Sequence, residues 1–150
     1  MAEKKETKSG GFSAEEKAAI KQYAAEKRAS AKPETGAAKR KRESEACSEA
    51  IAALSGTDKK IAQALDSIVA EVAPNLDRKT WYGFPSYAKA GKVVIFFQPA
   101  SKFKTRYGSI GFTEDANLDD GVIWAASFAI LDVNAAVVDK LRKLVAKAIS

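Results

Sequence analysis

The chain has 150 residues, 46% of them hydrophobic, with a formal net charge of +6, one cysteine and no histidine. That length suits one domain able to close a core without staples. A lone Cys47 and the absence of histidine exclude an internal disulfide and the Cys/His clusters of structural zinc, and they remove the side chain most used for acid and base catalysis near neutral pH.

No cofactor is expected, and any metal would have to sit among carboxylates. The longest apolar run falls well short of the roughly 20 residues that span a bilayer. The start, MAEKKETKSGG, lacks the apolar centre of a secretory signal. The chain reads as cytoplasmic, with no membrane partner.

Residues 1–11 are polar and without period, and they are expected to be disordered. Ser13 with Glu16 forms a capping-box pattern that opens a helix over residues 14–30. Its apolar face, Ala19, Ile20, Tyr23 and Ala24, is thin, so the helix reads as a marginal arm. Residues 32–43, KPETGAAKRKRE, join Pro, Gly and a basic run as a linker does. The chain therefore divides into a tail, arm and linker over 1–43 and a compact domain over 44–150.

A short helix is expected over 44–54, stopped at Ser55-Gly56. Thr57 or Asp58 would cap the next, on which Ile61, Leu65, Ile68, Val69 and Val72 share one face until Pro74 ends it. From Arg78 the period becomes that of strands. One hairpin turns at Ala90-Gly91, KFKTRYGSIGFT reads as a further strand, EDANLDDG as a turn, and residues 122–130 as a last strand. Asp132 or Asn134 then caps a C-terminal helix with Val138, Leu141, Leu144, Val145 and Ala148 on its buried side. The order predicts an α+β domain: an antiparallel sheet of four to five strands with amphipathic helices on one face.

Strict alternation over residues 92–98 sends Val93, Ile95 and Phe97 to one face and Val94 and Phe96 to the other, so both faces need cover. The rings of TWYGFPSY, Trp124 and the N-terminal arm are available for the second face. On the KFKTRYGSIGF strand, Lys104 and Arg106 would share a face with Ile110 and Phe112. These placements make Trp81, Tyr82, Tyr87 and Trp124 the candidate walls of a pocket, with Lys104 and Arg106 as its cationic side. Its ligand would be a small anionic or aromatic molecule. The plainer alternative is that the rings are core and the Lys and Arg a solvated face.

No residue pair is singled out by spacing for catalysis, and the chain leans towards a non-enzymatic binding domain. Residues 115–121, DANLDDG, approach a calcium loop but fail it, because the glycine comes one position late and Ala126 stands where the bidentate Glu is needed. Cys47, among Ala46, Ala50 and Ile51, reads as a small buried group. A weak nucleic-acid contact through Lys39 to Arg42 and the basic strand is a further alternative.

The stretches TWYGFPSY, GKVVIFFQPASKFKTRYGSIGF and ANLDDGVIWAASFAI, within residues 58–150, resemble the YdhG-like family of small bacterial domains. The opening GFSAEEKAAIKQ is similar to an extension in part of that family. The resemblance implies an α+β domain with an antiparallel sheet. It also implies, as an alternative function, the intracellular iron-chaperone role assigned to some members by comparison with frataxin.

Overall fold

A computed structural model describes residues 11–150, so the expectation of disorder for residues 1–10 lies outside the described residues. Five strands form one antiparallel sheet: β1 (Asp77–Trp81), β2 (Phe84–Lys89), β3 (Lys92–Gln98), β4 (Gly108–Phe112) and β5 (Ser127–Ile130). They lie side by side in chain order. The helices are α1 (Ala14–Ser30), α2 (Gly36–Ala52), α3 (Gly56–Val72), α4 (Ala100–Phe103) and α5 (Ala135–Ala148). The class is α+β, as the order of periodicities predicts.

Two-residue turns join the first three strands. Tyr82 and Gly83 have φ of 52° and 81°, and Ala90 and Gly91 have 50° and 81°. Positive φ at both central residues is the type I′ arrangement, whose twist matches that of the flanking strands.

One face of the sheet carries Tyr87, Ile95, Phe97, Ile110, Phe112 and Ile130. Against it pack the stripe of α3 (Ile61, Leu65, Ile68, Val69), Cys47 and Ile51 of α2, and Leu141, Val145 and Ala148 of α5. Pairing runs Tyr87 to Ile95 and then Ala88 to Val93, so Val94 is an extra residue in β3. This bulge corrects the strict alternation expected there: Val94 joins Ile95 and Phe97 in the buried cluster and does not share a face with Phe96.

The second face carries Trp81 and Phe84, opposite each other across β1 and β2, and Phe96 of β3, which lies opposite Ser86 and meets both rings. Helix α1 crosses it, begins at the Ser13 cap, and buries Ala19. The arm with the thin apolar face is thus part of what covers this side.

Four local expectations are corrected. Residues 36–43 are helical and not linker, because Pro33 ends upstream of the cap, Thr35 accepts the N–H of Ala38 at 3.1 Å, and Ala, Lys, Arg and Glu all favour helix. The basic run Lys39 to Arg42 therefore rides on α2, with Arg42 bound to Glu34 at 2.6 Å. The KFKTRYGSIGFT strand is interrupted by α4 and by Lys104 at φ 52°, so only Gly108–Phe112 is strand. Asp58 does not cap its own helix. It accepts the N–H groups of Ala100 (3.3 Å) and Ser101 (3.1 Å) and the Ser101 hydroxyl, and so caps α4. The last strand is also shorter than expected, starting at Ser127.

Candidate functional site

Of the six residues singled out in the sequence, the fold brings together Trp81 and Tyr82. Trp81 meets Phe96 edge-on at 5.2 Å and Phe84 at 6.0 Å between centroids, and Tyr82 meets Trp81 at 5.1 Å. The turn sets Trp81 opposite Phe84, so by parity Tyr87 lies on the other face of the sheet.

There Tyr87 is fully buried and its hydroxyl donates to Asp66 at 2.9 Å. Asp66 is held by both arms of the Arg78 guanidinium, at 2.8 and 3.0 Å, and Arg78 also donates to the hydroxyls of Ser44 and Ser48 at 2.9 Å. Burial, with the Asp66 carboxylate beside it, raises the Tyr87 hydroxyl well above the ordinary tyrosine pKa. Tyr87 is a core tie between sheet and helices, not a pocket wall.

Lys104 is bound to Glu15 of α1 at 2.7 Å, which raises its pKa and lowers that of Glu15. Trp124 lies 42% exposed in the segment that leads into β5. Arg106 stands over the ring of Tyr107 at 5.2 Å. The single six-residue pocket expected from the sequence is therefore not assembled: α4 takes Lys104 and Arg106 off the strand, and the hairpin splits Trp81 from Tyr87.

Arg106 belongs instead to a cleft of about 490 Å³ between β4–β5 and α5, floored by Ile110, Leu141 and Leu144 and flanked by Tyr107 and Phe128. A second cation, Lys140, stands 5.6 Å from the centre of the Phe128 ring. Among the described residues neither Arg106 nor Lys140 makes an ion pair. The carboxylate at the rim, Asp132, is engaged by Lys60 at 2.9 Å and by the N–H of Val133 at 2.7 Å, which hold its pKa below the usual value. An apolar cleft with two unneutralised cations resting on rings can take an anion joined to an apolar body.

The sequence reading missed Phe128 and Lys140. Lys140 sits in the polar half of an amphipathic stripe, where nothing in the pattern separates it from Lys143 or Lys147.

Two other hollows flank α1. One, of about 620 Å³, carries Lys27, Lys39, Lys79 and Lys92, but Glu26, Glu114 and Asp115 are interleaved with them. Lys79 and Lys92 reach carboxylates at 4.0 Å. The other, of about 480 Å³, is an apolar gap under α1 between Ile20, Phe96 and Phe103.

Burial pushes the Cys47 thiol up to about 11, which makes it a poor nucleophile at neutral pH. Among the described residues no three of His, Cys, Asp or Glu converge as a metal ligand set, and no helix is long and apolar enough to cross a membrane. Comparison of the chain with protein-family models, with curated proteins and with solved structures returned no match.

Proposed function

We propose that the protein is a non-enzymatic binding domain for a small anionic, partly apolar molecule, taken up in the cleft between β4–β5 and α5. The observation that carries this reading is that Arg106 and Lys140 rest on the Tyr107 and Phe128 rings at an apolar cleft, with no carboxylate partner among the described residues. A carboxylate, sulfonate or phosphate would meet the guanidinium fork, while the apolar part of the ligand would cover Ile110, Leu141 and Leu144. The cleft volume of about 490 Å³ is within the range of small-molecule sites. The anionic ligand expected from the sequence is retained. Its walls are not: Arg106 alone of the six residues contributes.

The test uses an anilinonaphthalene sulfonate as the anionic, partly apolar probe, followed by fluorescence titration and by methyl chemical shifts. Binding should perturb Leu141 and Leu144, and Arg106→Ala should weaken it by about 1.5 to 3 kcal/mol, the worth of a hydrogen bond to a charged group. Lys104→Ala, which removes only the partner of Glu15, should leave the affinity unchanged. Equal affinity in wild type and Arg106→Ala, or shifts confined to the residues under α1, would refute the cleft as the site.

A further inference from the structure

The two edges of the sheet are treated differently. Edge strand β1 carries Asp77, Arg78 and Lys79, and α2 lies along it, tied down by the bonds from Arg78 to Ser44 and Ser48. Charges and a covering helix are the usual means of blunting an edge.

Strand β5 has neither among the described residues. Among the described residues no strand pairs with its outer side, where alternate residues aim their N–H and C=O groups away from β4. From Val122 to Leu131 the sequence VIWAASFAIL contains no charged residue. Val122 is 99% exposed, Ile123 84%, Leu131 64% and Trp124 42%. An unblunted edge beside four exposed apolar side chains is a surface built for contact.

We infer that β5 and the segment leading into it form the contact of a symmetric dimer, in which β5 pairs antiparallel with β5 of a second copy and joins the two sheets. A second copy is the occupant that satisfies both features at once. Two-fold symmetry brings identical edges together antiparallel, so the free backbone groups of each strand meet those of the other.

Each exposed strip covers its counterpart. The four side chains offer on the order of 500 Å² per copy, and with the strand backbone a pair reaches the ~1,200 Å² at which stable interfaces begin. Charge acts in the same direction: two molecules of net charge +6 repel, and the uncharged run is where they approach at least cost. The contact also ends itself, since it consumes the open edge of both copies while β1 stays guarded.

The measurement is the mass of the full chain in solution by light scattering and sedimentation, with hydrogen exchange at β5. Wild type should sediment at twice the chain mass of 16.1 kDa. The double variant Val122→Lys with Ile123→Lys should raise the dissociation constant by at least about tenfold. Both side chains are exposed, so its circular dichroism and melting at high dilution should match wild type. In wild type, protection of β5 amides should rise with concentration. A wild type still monomeric at roughly 100 μM, or a dimer that the double variant leaves intact, would overturn the proposal. Concentration-independent protection of β5 in a dimer would overturn the strand pairing. None of these readouts depends on Arg106, so the dimer and the ligand cleft stand or fall separately.

Discussion

The ring of Tyr23 in α1 lies flat on the ring of Tyr82 in the β1–β2 turn, with centroids 4.3 Å apart and planes 12° from parallel. One helical turn further on, Glu26 accepts the N–H groups of Tyr82 at 3.1 Å and Gly83 at 2.9 Å, and Lys102 donates to the Tyr82 carbonyl at 3.3 Å. Tyr82 sits in the left-handed region, which costs about 1 to 2 kcal/mol for a residue with a Cβ. The contacts from α1 and Lys102 offset that strain and at the same time seat the helix.

Glu26→Ala should therefore loosen the helix and the turn together. Leaving the two N–H groups without their partner should cost about 1 to 3 kcal/mol. Hydrogen exchange is expected to quicken across α1 and at Tyr82 and Gly83 while α3 keeps its protection. Uniform acceleration through α3 would show that α1 does not open by itself.

On the other side of the sheet, Asp66→Asn breaks the two-armed pair with Arg78, both partners being partly buried. The expected loss is about 1.5 to 3 kcal/mol, against about 0.5 to 1.5 kcal/mol for Tyr87→Phe, which removes one hydrogen bond to the same carboxylate. Urea unfolding of the two variants gives the comparison. An equal loss in both would mean that Arg78 finds another partner.

Cys47 sets an alkaline limit. Its thiol is raised from the ordinary 9.0 to about 11 in the folded protein, chiefly by burial. Between those values the unfolded chain releases a proton that the folded chain keeps, so the fold binds more protons and stability falls as pH rises. The contribution is complete below pH 9 and is lost on the way to 11, by about 1.4 kcal/mol per unit at most. Cys47→Ala should flatten the decline in urea midpoint over that window, whatever it costs at neutral pH. A slope equal to wild type would place the alkaline sensitivity elsewhere, as at the Tyr87 hydroxyl, which burial also raises.

Gly111 is the floor on which the Phe96 ring lies, and a Cβ added there would overlap that ring. Gly111→Ala should displace Phe96 and the rings of Trp81 and Phe84 that meet it, at about 1 to 3 kcal/mol as for overpacked sites in general. Tryptophan emission should shift to the red along with the lost stability. An unshifted spectrum would show that the sheet yields and the ring stays.

Where the sequence was legible, a periodic pattern and a cap agreed. Ser13 and the residues after it give α1 its bounds, the five apolar residues from Ile61 to Val72 give α3 its buried face, and Asn134 caps α5 by accepting the N–H of Val137 at 2.9 Å. Residues 36–43 misled because their charges suggest solvent while their propensities suggest helix, and the second of these decides once Thr35 supplies a cap.

The site was less legible because parity and turns decide it. Trp81 and Tyr87 part company only when Tyr82-Gly83 is known to be the turn, and a tyrosine is a poor advertisement for positive φ. Lys104 and Arg106 lost their shared face to a four-residue helix whose cap, Asp58, comes from far back in the chain. Arg106 nonetheless retains a place beside rings, though with Tyr107 and Phe128 in the roles the sequence had given to Trp81 and Trp124.

The strict chain order of the strands carries a consequence for how the protein folds. The first two hairpins close through two-residue turns, so they form with little loop entropy, and α3 can condense on them early. Strand β5 must wait for the long excursion over residues 113–126 to close. The last strand to arrive is then the unguarded one, and until it docks its uncharged run is a sticky segment in a nascent chain. Chevron kinetics should register this: changes at the Ala90-Gly91 turn would slow folding, whereas changes in β5 would chiefly hasten unfolding.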